Sequence, residues 1–381
     1  MTKSVLIVGP AESPHFHSWV RAASQGDFNL HIFPTDRPNR ANLESLLRHS
    51  DRRNTKISFA FKMLSRSVYL YRVLDKVNNR KWRISLLQSE IRSKKLAVIN
   101  LHELQLSGNL LLSIKNYSNL VADKVIICSS WGSDLSLYSQ VKSHRRALRS
   151  LMEIADVLTA ERKEEEAIAR TLGFTGVFQK NVYTSVGTSN FPSDLTPTSS
   201  RSKILIKGYQ DIPGRSLNAI KAIDISKDFL KGWEIAIFSA SESVVIASEL
   251  LANQSGLNIR IVPKQSKDKF LDEYKNTRIY IGLAVSDGLS TSMVEAMNFG
   301  AFPIQSEISA ASDFIEHGVN GFIVDPWDIN GIAHLVMSAS TDHGLVDSAQ
   351  ITNREIVKKK YDLHIGTTKI IEILKQSTKK S

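Results

Sequence analysis

Residues 286–305 read SDGLSTSMVEAMNFGAFPIQ and set two carboxylates, Asp287 and Glu295, eight positions apart. A glycine, Gly288, and three hydroxyl residues, Ser290, Thr291 and Ser292, lie between them. Ser290 is a suitable N-cap, and the spacing predicts a helix from there to a glycine stop at Gly300. The first turn of such a helix presents backbone N–H groups, here flanked by hydroxyls, which together bind a phosphate oxygen. Gly288 allows close approach of a ligand to the backbone. Glu295, one turn beyond Thr291, can accept two hydrogen bonds from a vicinal diol such as a ribose. Asp287, ahead of the helix, can accept from hydroxyls of a second ring. Two acids gripping two sugars, with a helix start on the phosphates between them, describe a site for a nucleotide sugar.

The elements that must carry this site are short apolar runs alternating with helical stretches. Strands are predicted at 4–8, 28–33, 96–101, 124–129, 157–160 and 176–179. They resume at 203–207, 234–238, 258–262, 278–283, 302–305 and 322–324. Alternation of this kind points to an α/β protein with parallel sheets. Residues 184–202 are rich in Ser, Thr and Pro without periodicity and read as a connecting segment. The expected organisation is a Rossmann-like domain over 1–190, a linker at 191–202 and a second Rossmann-like domain over 203–360. A last helix, 361–381, is expected to pack back on the first domain. Ligands of open parallel sheets bind beyond the carboxyl ends of the strands, so the site is expected in a cleft between the two domains.

The charge is unevenly distributed. Residues 1–100 hold 18 Lys/Arg and 7 Asp/Glu, whereas the rest of the chain holds 31 of each sign. The whole net charge of +11 therefore lies in the first quarter, mostly between Arg48 and Lys95. Such a region attracts polyanions or an anionic lipid surface. Phe61, Leu64, Val68, Tyr71 and Leu74 can share one helical face with Lys62, Arg66, Arg72 and Lys76 on others. That pattern suits an amphipathic basic helix on an anionic membrane, and equally a helix packed on the first sheet. No nucleic-acid-binding motif accompanies it. The single cysteine, Cys128, excludes an internal disulfide and fits a reducing compartment. No apolar run reaches the length of a spanning helix, and the N-terminal apolar run is too short for a signal peptide.

The segment DGLSTSMVEAMNFGAFPIQ resembles the glutamate pair, seven residues between, of the retaining glycosyltransferases of family 4, whose GT-B fold consists of two facing Rossmann-like domains. EHGVNGFIVDPWDINGIAHLV, residues 316–336, is similar to that family's continuation. Asp287 stands where the first glutamate is usual, shorter by one methylene, about 1.5 Å. The family's second domain opens with a strand, a glycine and an Arg/Lys pair on the donor diphosphate. Here Gly208 matches the glycine, Tyr209 replaces the arginine, and Arg215 lies within a residue of the lysine position. The resemblance thus implies Arg215 as diphosphate clamp, with Lys207 the lesser candidate, because a leaving nucleoside diphosphate gains negative charge that a fixed cation stabilises. In the first domain, VINLHELQLSG and ICSSWGSDLSLY resemble the family's strand-end motifs. They suggest His102 and Asp134 as groups that bind hydroxyls or move the acceptor proton. Gly9 is expected to let the first loop approach the phosphates.

The chain has no Asp-x-Asp pair, no zinc-ligand spacing and no phosphate-binding GxxxxGK[ST] loop, so neither a metal nor another cofactor is expected. The expected activity is metal-independent, retaining transfer of a hexose from a UDP- or GDP-sugar to a saccharide or lipid-linked acceptor, in surface polysaccharide, lipopolysaccharide or glycolipid synthesis. The expected location is cytoplasmic, peripheral to the inner face of the cell membrane, with no nucleic-acid partner. The alternatives are a nucleotide-sugar epimerase of the same fold and a non-catalytic protein that binds a donor or a polyanion.

Overall fold

Strands buried on both sheet faces read as unbroken apolar runs, and this chain supplies them in two sets. The computed structural model describes residues 2–36, 39–48, 54–66, 68–77, 81–307 and 310–380. Of the basic region, residues 49–53, 67 and 78–80 lie outside the described residues. The chain divides into two compact units, Met1–Gly187 with Leu363–Ser381, and Thr188–Asp362.

Among the described residues the first unit holds a seven-stranded sheet. Its strands are β1 (Lys3–Gly9), β2 (Phe28–Pro34), β3 (Thr55–Ile57), β4 (Leu96–His102), β5 (Val125–Ser129), β6 (Val157–Thr159) and β7 (Val177–Gln179). Their order is β3-β2-β1-β4-β5-β6-β7, and every pairing is parallel. All seven residues of β4 are buried, as a strand covered by helices on both faces requires. The short edge strand β3 was not anticipated from the sequence. The terminal helix Leu363–Lys380 belongs to this unit and buries Ile370, Ile373 and Leu374 in its core. Gly366 lets that helix approach closely, since a Cβ there would come 1.9 Å from the Val186 carbonyl oxygen.

The second unit holds six described strands: β8 (Lys203–Lys207), β9 (Glu234–Phe238), β10 (Asn258–Val262), β11 (Ile279–Gly282), β12 (Phe302–Ser306) and β13 (Phe322–Val324). Their order is β10-β9-β8-β11-β12-β13, again all parallel. Chain order reverses between β8 and β11, and in the first sheet between β1 and β4. Doubly wound sheets bind ligands beyond the strand ends at such switch points.

The Ser/Thr/Pro-rich stretch is bound to the second unit from Thr188 onward. Thr198 Oγ1 donates to the Gly300 carbonyl at 2.6 Å. Ser199 donates through its N–H and its hydroxyl to Asp347 at 2.8 and 2.6 Å. Arg201, 5% exposed, donates to the carbonyls of Thr277, Phe299 and Thr196. Small hydroxyl residues here satisfy carbonyls that helix and strand ends leave open.

Candidate functional site

β8 ends in Lys207, at the switch point of the second sheet. The segment leaving its neighbour β11 returns to it. Arg215 N–H donates to the Leu283 carbonyl at 3.0 Å, and Val285 N–H to the Pro213 carbonyl at 2.8 Å. This strap fixes the path to Asp287, whose Oδ2 lies 3.2 Å from Lys207 Nζ. Oδ1 of the same carboxylate accepts the Gly288 N–H at 2.9 Å. The amine also lies over the Tyr209 ring, 5.2 Å from its centroid. Burial works against the charged amine, but Asp287 and Tyr280 outweigh it and raise the Lys207 pKa. A held cation with 21% of its side chain exposed is thus available at the strand ends.

The helix foreseen after Asp287 spans Thr291–Asn298, with Ser290 as its N-cap and Gly300 at φ 84° beyond its end. No side chain caps this helix, and its first turn holds no acid. The hydroxyls of Ser290 and Ser292 turn instead to the Tyr280 phenol, at 3.3 and 2.8 Å. The first-turn N–H groups keep their appetite for an anion, with Thr291 partly exposed beside them. Tyr274 donates to Glu295 Oε2 at 3.1 Å, which fixes one side of that carboxylate. Tyr274 and Tyr280 each hold their phenolic proton more tightly because of burial. Neither tyrosine stood out in the sequence, because a tyrosine within a strand or helix reads as core.

The glycines here serve packing. A Cβ on Gly208 would lie 2.6 Å from Ala240 Cα, and one on Gly282 would lie 2.4 Å from Gln305 Oε1 and 2.9 Å from the Tyr280 oxygen. Gln305 is 1% exposed, and its Oε1 has no hydrogen-bond partner. Gly288 is buried, and its N–H already serves Asp287.

Arg215 is arranged differently from the clamp expected of it. Its Nη1 donates to the carbonyls of Asp211, Ile212 and Gly214. The guanidinium also stacks on Trp327, 4.6 Å from the ring centroid. Lys207 stands beside Asp287, whereas Arg215 ties down its own loop. Arg215→Ala is therefore expected to destabilise the fold by about 1–3 kcal/mol, the range for a few lost hydrogen bonds to a charged group, measurable as a lower urea midpoint.

At the switch point of the first sheet the residues singled out, Gly9, His102 and Asp134, are buried. A Cβ on Gly9 would lie 2.3 Å from Phe16 Cε2 and 3.0 Å from His102 Cβ. Gly9 thus makes room for the Phe16 ring. His102 is 0% exposed and packs edge-on against Trp19, with centroids 4.6 Å apart. Its Nδ1 accepts from the Trp131 indole at 3.3 Å, and its Nε2 donates to Asn100 Oδ1 at 3.0 Å. Burial lowers its pKa to about 3. The buried imidazole is thus neutral, with both nitrogens engaged.

Asp134 is 3% exposed. Its carboxylate accepts the Leu104 and Trp131 N–H groups at 3.0 and 2.7 Å, so it caps a helix start and fixes a loop. Burial raises its pKa to about 6. The group at this edge that the sequence did not flag is Glu103, whose backbone is left-handed at φ 55°. Burial, then the charges of Asp134 and Asp36, raise its pKa to about 7.

Glu165, 0% exposed, accepts from Ser130 and is raised by burial to about 8. Its folded pKa exceeds the ordinary 4.5, so the stability it contributes is complete below that value and is lost as pH rises through 8. Unfolding free energy should fall with pH across this window by as much as about 1.4 kcal/mol per unit. Glu165→Gln should flatten that slope in urea titrations run at a series of pH values.

Comparison with known proteins bears on both units. Residues 242–356 match the family model described as Glycosyl transferases group 1. The amylovoran biosynthesis glycosyltransferase AmsK of Erwinia amylovora is 25% identical over 118 residues, which span 30% of this chain and 29% of that relative. Among solved structures, HepE of Anabaena in complex with UDP and glucose superposes with a TM-score of 0.73 at 12% identity, covering 98% of this chain and 100% of that one. Sucrose-phosphate synthase of Thermosynechococcus elongatus gives 0.73 at 13% identity, with both chains covered completely. The α/β fold, with one parallel sheet in each unit, is that of the GT-B glycosyltransferases.

Proposed function

We propose that this protein is a retaining glycosyltransferase that takes a sugar from a nucleotide-sugar donor, a UDP-sugar in preference to a GDP-sugar, and passes it to a saccharide or lipid-linked acceptor. The observation that carries the reading is the meeting of Lys207, Asp287 and the uncapped start of helix Thr291–Asn298 at the switch point of the second sheet. In this reading the diphosphate lies between the Lys207 amine and the helix N–H groups. Both oppose the negative charge that grows on the leaving group. Glu295, steadied by Tyr274, takes the ribose diol. Asp287, with carboxylate capacity left beyond Lys207 and Gly288 N–H, takes hydroxyls of the transferred sugar.

The choice of UDP leans on HepE, which has been solved with UDP and with UDP-glucose. A role in polysaccharide synthesis leans on AmsK. The proposal assigns charge neutralisation to Lys207 and the helix end, so turnover should persist in excess EDTA. The test is calorimetry and product analysis with a panel of UDP- and GDP-sugars, with and without saccharide acceptors. A UDP-sugar should bind and its sugar should appear on an acceptor with the anomeric configuration kept. A free epimer formed without acceptor, or no heat with any donor, would overturn the reading.

A further inference from the structure

We infer that helices Phe59–Leu64 and Val68–Val77 form a docking surface for an anionic lipid bilayer, an inference that stands apart from the donor reading. Residues 59–77 carry four cations, Lys62, Arg66, Arg72 and Lys76, and one acid, Asp75. All four cations are exposed. The acid does not offset them at the surface. Asp75 Oδ1 accepts from the Trp82 indole at 2.8 Å, and Oδ2 meets Arg83 Nη2 at 2.5 Å. Arg83 in turn donates to the Thr35 carbonyl at 2.7 Å, which ties the helix to the end of β2. The one negative charge of this segment is thus spent inward.

The apolar residues divide in the same way. Phe61 is 0% exposed and packs edge-on against Phe33, with centroids 4.9 Å apart, so one side of the segment belongs to the core. Met63, Tyr69, Val73 and Leu74 remain 47%, 76%, 37% and 37% exposed. Tyr69, Arg72, Val73 and Lys76 follow one another at helical spacing and form one outward stripe of alternating apolar and basic character. A stripe of that composition matches the boundary between headgroups and acyl chains. Tyrosine and aliphatic side chains enter the apolar side there, while lysine and arginine reach back to anionic headgroups. Among the described residues no helix is long and apolar enough to cross a membrane, so the contact is with a surface. A nucleic acid would use the cations and leave the apolar half of the stripe in water.

The test uses the full chain and sedimentation with vesicles. One set is phosphatidylcholine alone, and the other contains about 30% phosphatidylglycerol, at salt from about 50 to about 500 mM. The chain should sediment with the anionic vesicles only, and progressively less as salt rises. The combined variant Lys62→Gln, Arg66→Gln, Arg72→Gln and Lys76→Gln should lower the partition coefficient at least about tenfold. Tyr69→Ser alone should lower it about three- to tenfold. Removing four exposed cations elsewhere, Lys221, Lys264, Lys358 and Lys359, should leave it unchanged. All of these positions are exposed, so the variants should keep the parent's melting curve. Equal binding to neutral vesicles, or equal loss from the distant substitutions, overturns the proposal. So does a duplex DNA that competes off the vesicles while Tyr69→Ser has no effect.

Discussion

Lys207→Ala should reduce the turnover of sugar transfer by about 10²–10³-fold, the loss seen when one fixed group opposing a developing negative charge is removed. The amine is positioned before any ligand arrives, by Asp287 at 3.2 Å and by the face of Tyr209. It remains charged across the neutral range because its pKa is raised. No reorganisation is therefore needed as the diphosphate departs, which is where a preorganised cation gains over water. Lys207→Arg should recover part of the loss, since the charge returns on a differently shaped head. Arg215→Ala should cost less than about tenfold in kcat while lowering stability, because that guanidinium is engaged with its own loop. The measurement is steady-state kinetics with the best donor from the panel. A Lys207→Ala enzyme within threefold of the parent, or an Arg215→Ala enzyme with the larger defect, would remove Lys207 from the leaving-group site.

The two cations show where sequence reading stops. A lysine at the end of KILIK and an arginine at the start of a helix look alike as charges in a string. What separates them is the path of residues 209–214, whose carbonyls curl onto Arg215 and whose strap to 283–285 brings Asp287 to Lys207. The strand itself was plain, because KILIK, EIAIF and IYIG are runs that only a sheet covered on both faces would bury. β3 escaped notice for the opposite reason: three residues at a sheet edge leave too little pattern to read.

Gly9 and His102 illustrate a second limit. Both lie at strand ends, and the family resemblance pointed Gly9 to the phosphates and His102 to hydroxyls or the acceptor proton. The ring of Phe16, seven residues on in the next helix, occupies the space over Gly9, and Trp131 and Asn100 occupy the nitrogens of His102. A strand-end position gives a group access to solvent only if nothing else in the unit fills the space. By contrast, the helix after Asp287 was legible down to its cap, because Ser290 and Gly300 are local signals that need no distant partner.

Glu295→Ala should weaken donor binding by about 10²–10⁴-fold, with a smaller effect on kcat. A carboxylate that takes two hydroxyls of a diol makes charge-assisted hydrogen bonds worth roughly 1.5–3 kcal/mol each, in the ground state and the transition state alike. Uniform binding of this kind appears in KM and leaves kcat nearly unchanged. The carboxylate is held ready by the Tyr274 phenol at 3.1 Å. Tyr274→Phe should therefore weaken the donor by only a few-fold, through loss of orientation. The pair of variants separates the two jobs. If Glu295 merely satisfies a buried phenol, both substitutions lower stability and neither moves the dissociation constant of the nucleoside diphosphate. If it grips the ribose, calorimetry with UDP shows a large loss for Glu295→Ala and a small one for Tyr274→Phe. A ligand lacking the diol, 2′,3′-dideoxy-UDP, should then bind the parent and the Glu295→Ala protein almost equally, because the group the acid would hold is gone from both.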